Sequence, residues 1–216
     1  MTVLPQEKRS TTSLAWIVGT VLSIAVALFS YRYAIGVGPL ADGVTDNAFA
    51  NPWLAVHAAT AATALLIGSF QFLPRLRARW PAHHRWAGRV YVFSCLLGGI
   101  SGQFLAWGTT AGPVAVAGFG IVSAAWLWTT TRAFQLALQR DFVRHREWMI
   151  RSWSLTLAAV TLRIQLGVAG ALDLPFELAY PAISFLSWVP NLIVAELYLA
   201  WDRRRRSSAR RVISTR

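Results

Sequence analysis

Residues 53–73 read WLAVHAATAATALLIGSFQFL, a run without a single Lys, Arg, Asp or Glu. A helix needs about 20 apolar residues to cross the roughly 30 Å hydrocarbon core of a bilayer, and this stretch has that length. Its apolar residues are continuous rather than alternating. It therefore reads as a spanning helix and not as a strand of a membrane barrel, whose lipid-facing and lumen-facing residues alternate. Five further windows of the same kind flank it: Leu14–Ala34, Arg89–Trp107, Pro113–Phe134, Trp148–Ala171 and Glu177–Trp201. The first is longer than the apolar core of a signal peptide and has no small-residue cleavage pattern near Tyr31–Tyr33, so it too is expected to span. The expected fold is an all-α integral membrane bundle of six transmembrane helices. It divides into an N-terminal tail at 1–13, a membrane domain at 14–201 and a basic tail at 202–216.

Composition agrees. Only 14% of the 216 residues are charged and 55% are apolar, with a mean hydropathy of +0.44. These values exclude a disordered chain and fit poorly with a water-soluble domain. The lone cysteine, Cys95, cannot form an internal disulfide or supply a zinc site by itself, and is expected to be a small packing residue.

Charge then orients the bundle. All but two of the 21 Lys and Arg residues fall in the N-terminal tail, the second and fourth loops and the C-terminal tail. The exceptions are Arg32 at the outer end of the first span and Arg163 inside the fifth. Outer loops carry Asp42, Asp46 and Asp173 instead, with Glu177 at a boundary. Because short cytoplasmic loops retain basic residues, both termini are expected in the cytoplasm. The net charge of +12 is thereby assigned to orientation and to anionic lipid headgroups, and no nucleic acid is needed to explain it.

Polar residues in and beside the spans supply the candidate chemistry. Small residues mark close helix contacts: Gly98 and Gly102 in the third span, Gly112, Gly118 and Gly120 along the fourth, and Gly167 and Gly170 at the end of the fifth. Pro190 removes a backbone donor inside the sixth span, with Asn191 beside it to satisfy the freed carbonyl. A weak internal repeat joins Phe70-Gln71 to Phe134-Gln135 and His84-Arg85 to His145-Arg146, as a duplicated hairpin would. With Pro81 as first helical residue, His84 opens the third helix and His145 stands at the mouth of the fifth, on one membrane face. Two such imidazoles suit the axial positions of a haem b, with Arg85, Arg89, Arg146 and Arg151 available for its propionates and Gly88 leaving room for the macrocycle. Against this, His84 lies roughly 9 Å outside the uncharged run. The same residues equally form an interfacial belt that binds lipid phosphate and sets helix depth.

His57, about four residues inside the second span, and Arg163 form a second polar site. Placing an arginine at the centre of a helix costs about 2.5–3.5 kcal/mol on insertion scales, so such residues face a cavity or a partner. A quinone carbonyl, a carboxylate, a proton or a single interhelical hydrogen bond all satisfy that pair. No Walker loop, nucleotide-binding glycine fingerprint, nucleophile elbow or His-Glu-x-x-His helix occurs, which leaves hydrolases and soluble-cofactor enzymes without support.

The series His57, Gly68-Ser69-Phe70-Gln71-Phe72-Leu73, His84-Arg85-Trp86-Ala87-Gly88-Arg89-Val90-Tyr91 and His145-Arg146-Glu147-Trp148-Met149-Ile150-Arg151-Ser152, followed by Arg163, resembles an uncharacterised bacterial membrane protein family, domain of unknown function 2306. The resemblance covers spans two to five and implies a multi-span protein of the bacterial cytoplasmic membrane. It assigns no reaction. A looser similarity is to six-helix cytochromes b, in which helices three and five share one haem and helices two and four the other. His84 and His145 match the first pair, whereas the fourth span has no histidine to complete the second. These features together give the expectation of a cytochrome b-like redox or quinone-interacting protein with at most one inner-side haem. The alternative is a transporter or membrane assembly module whose His and Arg layers bind substrate or lipid phosphate.

Overall fold

The computed structural model describes residues 14–37 and 46–214, with side chains described through 208 except that of residue 15. Lys8, Arg9, Asp42 and Arg216 lie outside the described residues. Among those described, the helices are α1 (Leu14–Ala34), α2 (Ala50–Gln71), α3 (Pro74–Arg79), α4 (Pro81–Gly108), α5 (Pro113–Leu138), α6 (Phe142–Thr156), α7 (Ala158–Ala171), α8 (Phe176–Leu186) and α9 (Val189–Ser214). Among the described residues, six stretches are long and apolar enough to cross a membrane: α1, α2, α4, α5, the α6–α7 pair and the α8–α9 pair.

Local chemistry accounts for the ends. Pro74, Pro81 and Pro113 each occupy the first position of a helix, where the missing N–H costs nothing and the fixed φ favours entry. Asp141 caps α6, its carboxylate accepting from the Arg144 amide at 3.1 Å. The preceding Arg140 turns out of α5 at φ 61°.

Packing follows membrane rather than aqueous rules. Large apolar side chains such as Leu28, Phe29, Ile100, Trp128 and Val194 are exposed, while Ala58, Ala62, Ala64, Ser23, Ser101 and Ser184 are buried. Hydrocarbon rewards burial of Leu no more than exposure to lipid, so helices associate through small residues and interhelical hydrogen bonds. Helix α4 is packed on both sides, by α2 and α5, and α1 closes onto α2 and α7. The tightest seam runs along α4. A β-carbon at Gly98 would come within 2.9 Å of the Trp126 ring, and one at Gly102 within 2.9 Å of Ser123 Oγ and 3.2 Å of the His57 ring.

The fourth span begins and ends where the sequence places it to within a helical turn, but the fifth and sixth are each interrupted. The fifth breaks at Leu157 and the sixth at Ser187–Trp188. The two breaks pack together. Pro190 has no N–H to offer the Leu186 carbonyl, and Gln165 Nε2 on α7 donates to it instead at 3.0 Å. Asn191 Nδ2 donates to the Ser187 carbonyl at 3.1 Å and to Thr161 Oγ1 at 3.2 Å, while the Thr161 hydroxyl donates to the same Ser187 carbonyl. Asn191 thus satisfies a freed carbonyl, but that of Ser187, and the group orphaned by Pro190 is served from the neighbouring span. The sixth span also continues beyond Trp201 as helix through Ser214.

Candidate functional site

Polar groups gather at three levels of the bundle. At the arginine-rich end, α4 starts at Pro81 as expected, which puts His84 in its first turn. His84 Nδ1 is buried without a hydrogen-bond partner, as is Nε2 of Gln71 in the last turn of α2. Gly88, one turn beyond His84 on the same helix face, looks onto Gln71: a β-carbon there would sit 3.5 Å from Gln71 Oε1. The charges that bear on His84 are those of Arg77, His145 and Arg85. The structure therefore brings His84 and His145 into one neighbourhood and adds Gln71 and Arg77 to it. His145 Nδ1 donates to the Ala133 carbonyl on α5 at 2.8 Å, a bond that leaves its Nε2 with a lone pair.

The four arginines considered beside these histidines divide into two groups. Arg85 and Arg89 are exposed. Arg146 donates to Asp202 at 2.7 Å and to Tyr198 at 2.9 Å. Arg151 grips Glu196 with two bonds, 2.5 and 3.0 Å long. Arg203 and Arg206 in turn reach Glu147, each at 3.3 Å, and Arg206 also reaches Asp202 at 2.7 Å. Arg146 and Arg151 are thus neutralised by carboxylates of α9, and the extended last helix is clamped to the mouth of the fifth span.

Midway along α4 is a closed hydroxyl cluster. Tyr91 is fully buried, its OH 2.9 Å from both Ser152 Oγ and Thr156 Oγ1. Thr130 Oγ1 lies 2.7 Å from Ser152 Oγ, and Trp126 Nε1 donates to Thr156 Oγ1 at 2.9 Å. Each hydroxyl has one proton, which orders the donors. Thr156 gives its proton to the Ser152 carbonyl at 2.9 Å, so Tyr91 donates to Thr156, Ser152 to Tyr91, and Thr130 to Ser152. Cys95, expected only to fill space, is buried among these groups with its thiol in hydrogen-bonding reach of Tyr91, Thr130, Ser152 and Thr156.

Nearer the opposite end, His57 Nδ1 donates to the Gly98 carbonyl on α4 at 2.8 Å. Arg163 donates from one terminal nitrogen to the Ala159 carbonyl of its own helix at 2.9 Å. Arg163 is among the charges that act on His57, so the expected pair shares a level, although each hydrogen bond goes to backbone. Arg32 was legible only as an end-of-span residue. It lies over the Phe29 and Tyr33 rings, 4.3 and 4.6 Å from their centroids, and acts in turn on Arg163.

The region that carries all these histidines is also the region with relatives. A family model described as "Predicted membrane protein (DUF2306)" matches residues 54–199. The chain belongs to this family. The match reaches past the fifth span to nearly the whole of the sixth, further than the motifs alone indicate, and includes His57, His84, His145 and Arg163. Its description states a membrane location and no reaction. No curated protein and no solved structure matches the chain.

Proposed function

We propose that this member of the family is a quinone-interacting protein of the bacterial cytoplasmic membrane, with both termini in the cytoplasm. The quinone headgroup is held at the arginine-rich end of the bundle by Gln71 and His84. One observation carries the reading: Gln71 Nε2 and His84 Nδ1 are both buried without partners, and Gly88, one turn beyond His84, leaves room beside the Gln71 amide. Buried polar groups without partners are costly and ask for one, Gln71 Nε2 as a donor and His84 Nδ1 as a donor in the tautomer that carries its proton there. A quinone offers two carbonyl acceptors on a flat ring and reaches the site through the bilayer. His145, fixed by the Ala133 carbonyl, and Arg77 complete the surroundings.

Titrating the purified protein with a short-tailed benzoquinone, followed by tryptophan fluorescence, is the test. Saturable quenching is expected, weakened at least tenfold in Gln71→Ala and His84→Ala and unchanged in His57→Ala. Quenching that never saturates, or that is equal in Gln71→Ala and the parent, rejects the site.

A second reading is favoured by the hydrogen bond from His145 to Ala133, which is the kind of bond that orients a metal-binding imidazole. His84 and His145 would be the axial ligands of a haem b, which when bound supplies one-electron chemistry. Arg85 and Arg89 would face its propionates, since Arg146 and Arg151 are engaged by Asp202 and Glu196. A b-type optical spectrum lost in both His84→Ala and His145→Ala supports it, and protein expressed with haem precursor that shows no Soret band rejects it.

A further inference from the structure

Where the fifth and sixth spans break, a groove opens between their halves on the arginine-rich side. Ile150, Ser154 and the break residue Leu157 stand four and then three residues apart along the fifth span, and Pro190, Val194 and Tyr198 stand four apart on α9. Each set lies on one helix face, and the two faces line a single groove of about 380 Å³. It runs lengthwise. From Leu157 and Pro190 at the breaks to Ile150 and Tyr198 it covers about 10–12 Å at the helix rise of about 1.5 Å per residue. The Ser154 hydroxyl is spent on the Arg151 carbonyl at 2.8 Å and the Asn191 amide donates into the break. The groove therefore offers hydrocarbon contact along its length, and the exposed Val194 and Tyr198 place its rim on the lipid side.

Its shallow end is cationic. Arg146 donates to Tyr198 OH at 2.9 Å and lies over the Tyr198 ring, 5.8 Å from the centroid. Arg146 also shares one oxygen of Asp202 with Arg206, each at 2.7 Å, and Arg206 shares Glu147 with Arg203, each at 3.3 Å. Three guanidinium groups rest on two carboxylates, so this network keeps one positive charge in excess. The side chains of Arg146 and Arg206 are 38% exposed and that of Arg203 is 51% exposed, which leaves them within reach of an anion. Guanidinium forks match phosphate oxygens, and basic clefts between spans are places where anionic headgroups bind.

We propose that this groove holds one anionic phospholipid from the leaflet on the arginine-rich side, an acyl chain lying between α6 and α9 and its phosphate on Arg146, Arg203 and Arg206. The site shares no residue with the quinone reading, and the two stand or fall separately.

The test uses the full-length protein in neutral detergent, with phosphatidylglycerol and phosphatidylcholine of identical chains as probes and bound lipid counted by native mass spectrometry. One saturable phosphatidylglycerol is expected, held about tenfold more tightly than phosphatidylcholine. Val194 lines the groove, whereas the neighbouring Ile193, also exposed, lies on the other flank of α9. Val194→Trp covers the groove and is expected to weaken binding about tenfold, because the chain loses its contacts with both walls. Ile193→Trp adds similar bulk to the same helix and should bind as the parent does. Arg146→Gln is expected to abolish the preference between the two lipids, and Arg146→Lys, which keeps the charge, to retain it. Equal affinity for both lipids in the parent, equal binding in Val194→Trp and Ile193→Trp, or binding that never saturates overturns the proposal.

Discussion

Gly98 serves two neighbours at once. Its missing side chain admits the Trp126 ring, and its carbonyl receives His57 Nδ1. Gly98→Ala forces a rigid indole to move and disturbs that hydrogen bond. A loss of about 1–3 kcal/mol is expected in detergent unfolding, the range for overpacking a tight contact. Tyr91→Phe is milder, because Thr156 keeps its bonds to Trp126 and to the Ser152 carbonyl. About 0.5–1.5 kcal/mol is expected there, in line with hydrogen bonds measured inside membrane proteins. A Tyr91→Phe protein as stable as the parent would show that the cluster contributes packing alone. At this scale the sequence was partly readable. His57, His84, His145 and Arg163 stand out because polar groups in apolar helices are rare. Gln71 did not, since an amide at a span's end is ordinary until the fold buries it.

The spans themselves were legible because hydropathy alone sets the length a bilayer requires, and α1 ends at Ala34 as expected. The breaks were not. Leu157 and Ala158 are ordinary helix formers, and the interruption beside them is stabilised by Thr161, Gln165 and Asn191 acting between spans, which no single-span pattern reveals. That interdependence has a measurable form. Gln165→Ala removes the donor that replaces the one Pro190 lacks, so it should be costly in the parent and nearly neutral in a Pro190→Ala background. A double-mutant cycle is expected to give a coupling of about 0.5–1.5 kcal/mol. Strictly additive costs would mean that Gln165 and Pro190 act independently. The closing of α1 against α7, a contact between the first and fifth spans, likewise lies beyond local sequence signals.

Across the whole molecule, the last helix is tied back to the fifth span by Glu147, Asp202 and three arginines. Removing both carboxylates, as Glu147→Gln with Asp202→Asn, should expose Arg203–Arg206 to trypsin several-fold faster. High salt should narrow the difference, because partly exposed ion pairs are screened. Equal cleavage rates would mean that the helix holds its place without the clamp. Reporter fusions at either terminus should be active only as cytoplasmic reporters. The hydroxyl cluster bears on how the spans are held to one another. Its protons run from Thr130 through Ser152 and Tyr91 to Thr156 and end on the Ser152 carbonyl, a group with no proton to hand on. Substituting any one of these four residues strands a buried partner on a neighbouring span, so Tyr91, Thr130, Ser152 and Thr156 act as one unit where α4, α5 and α6 meet.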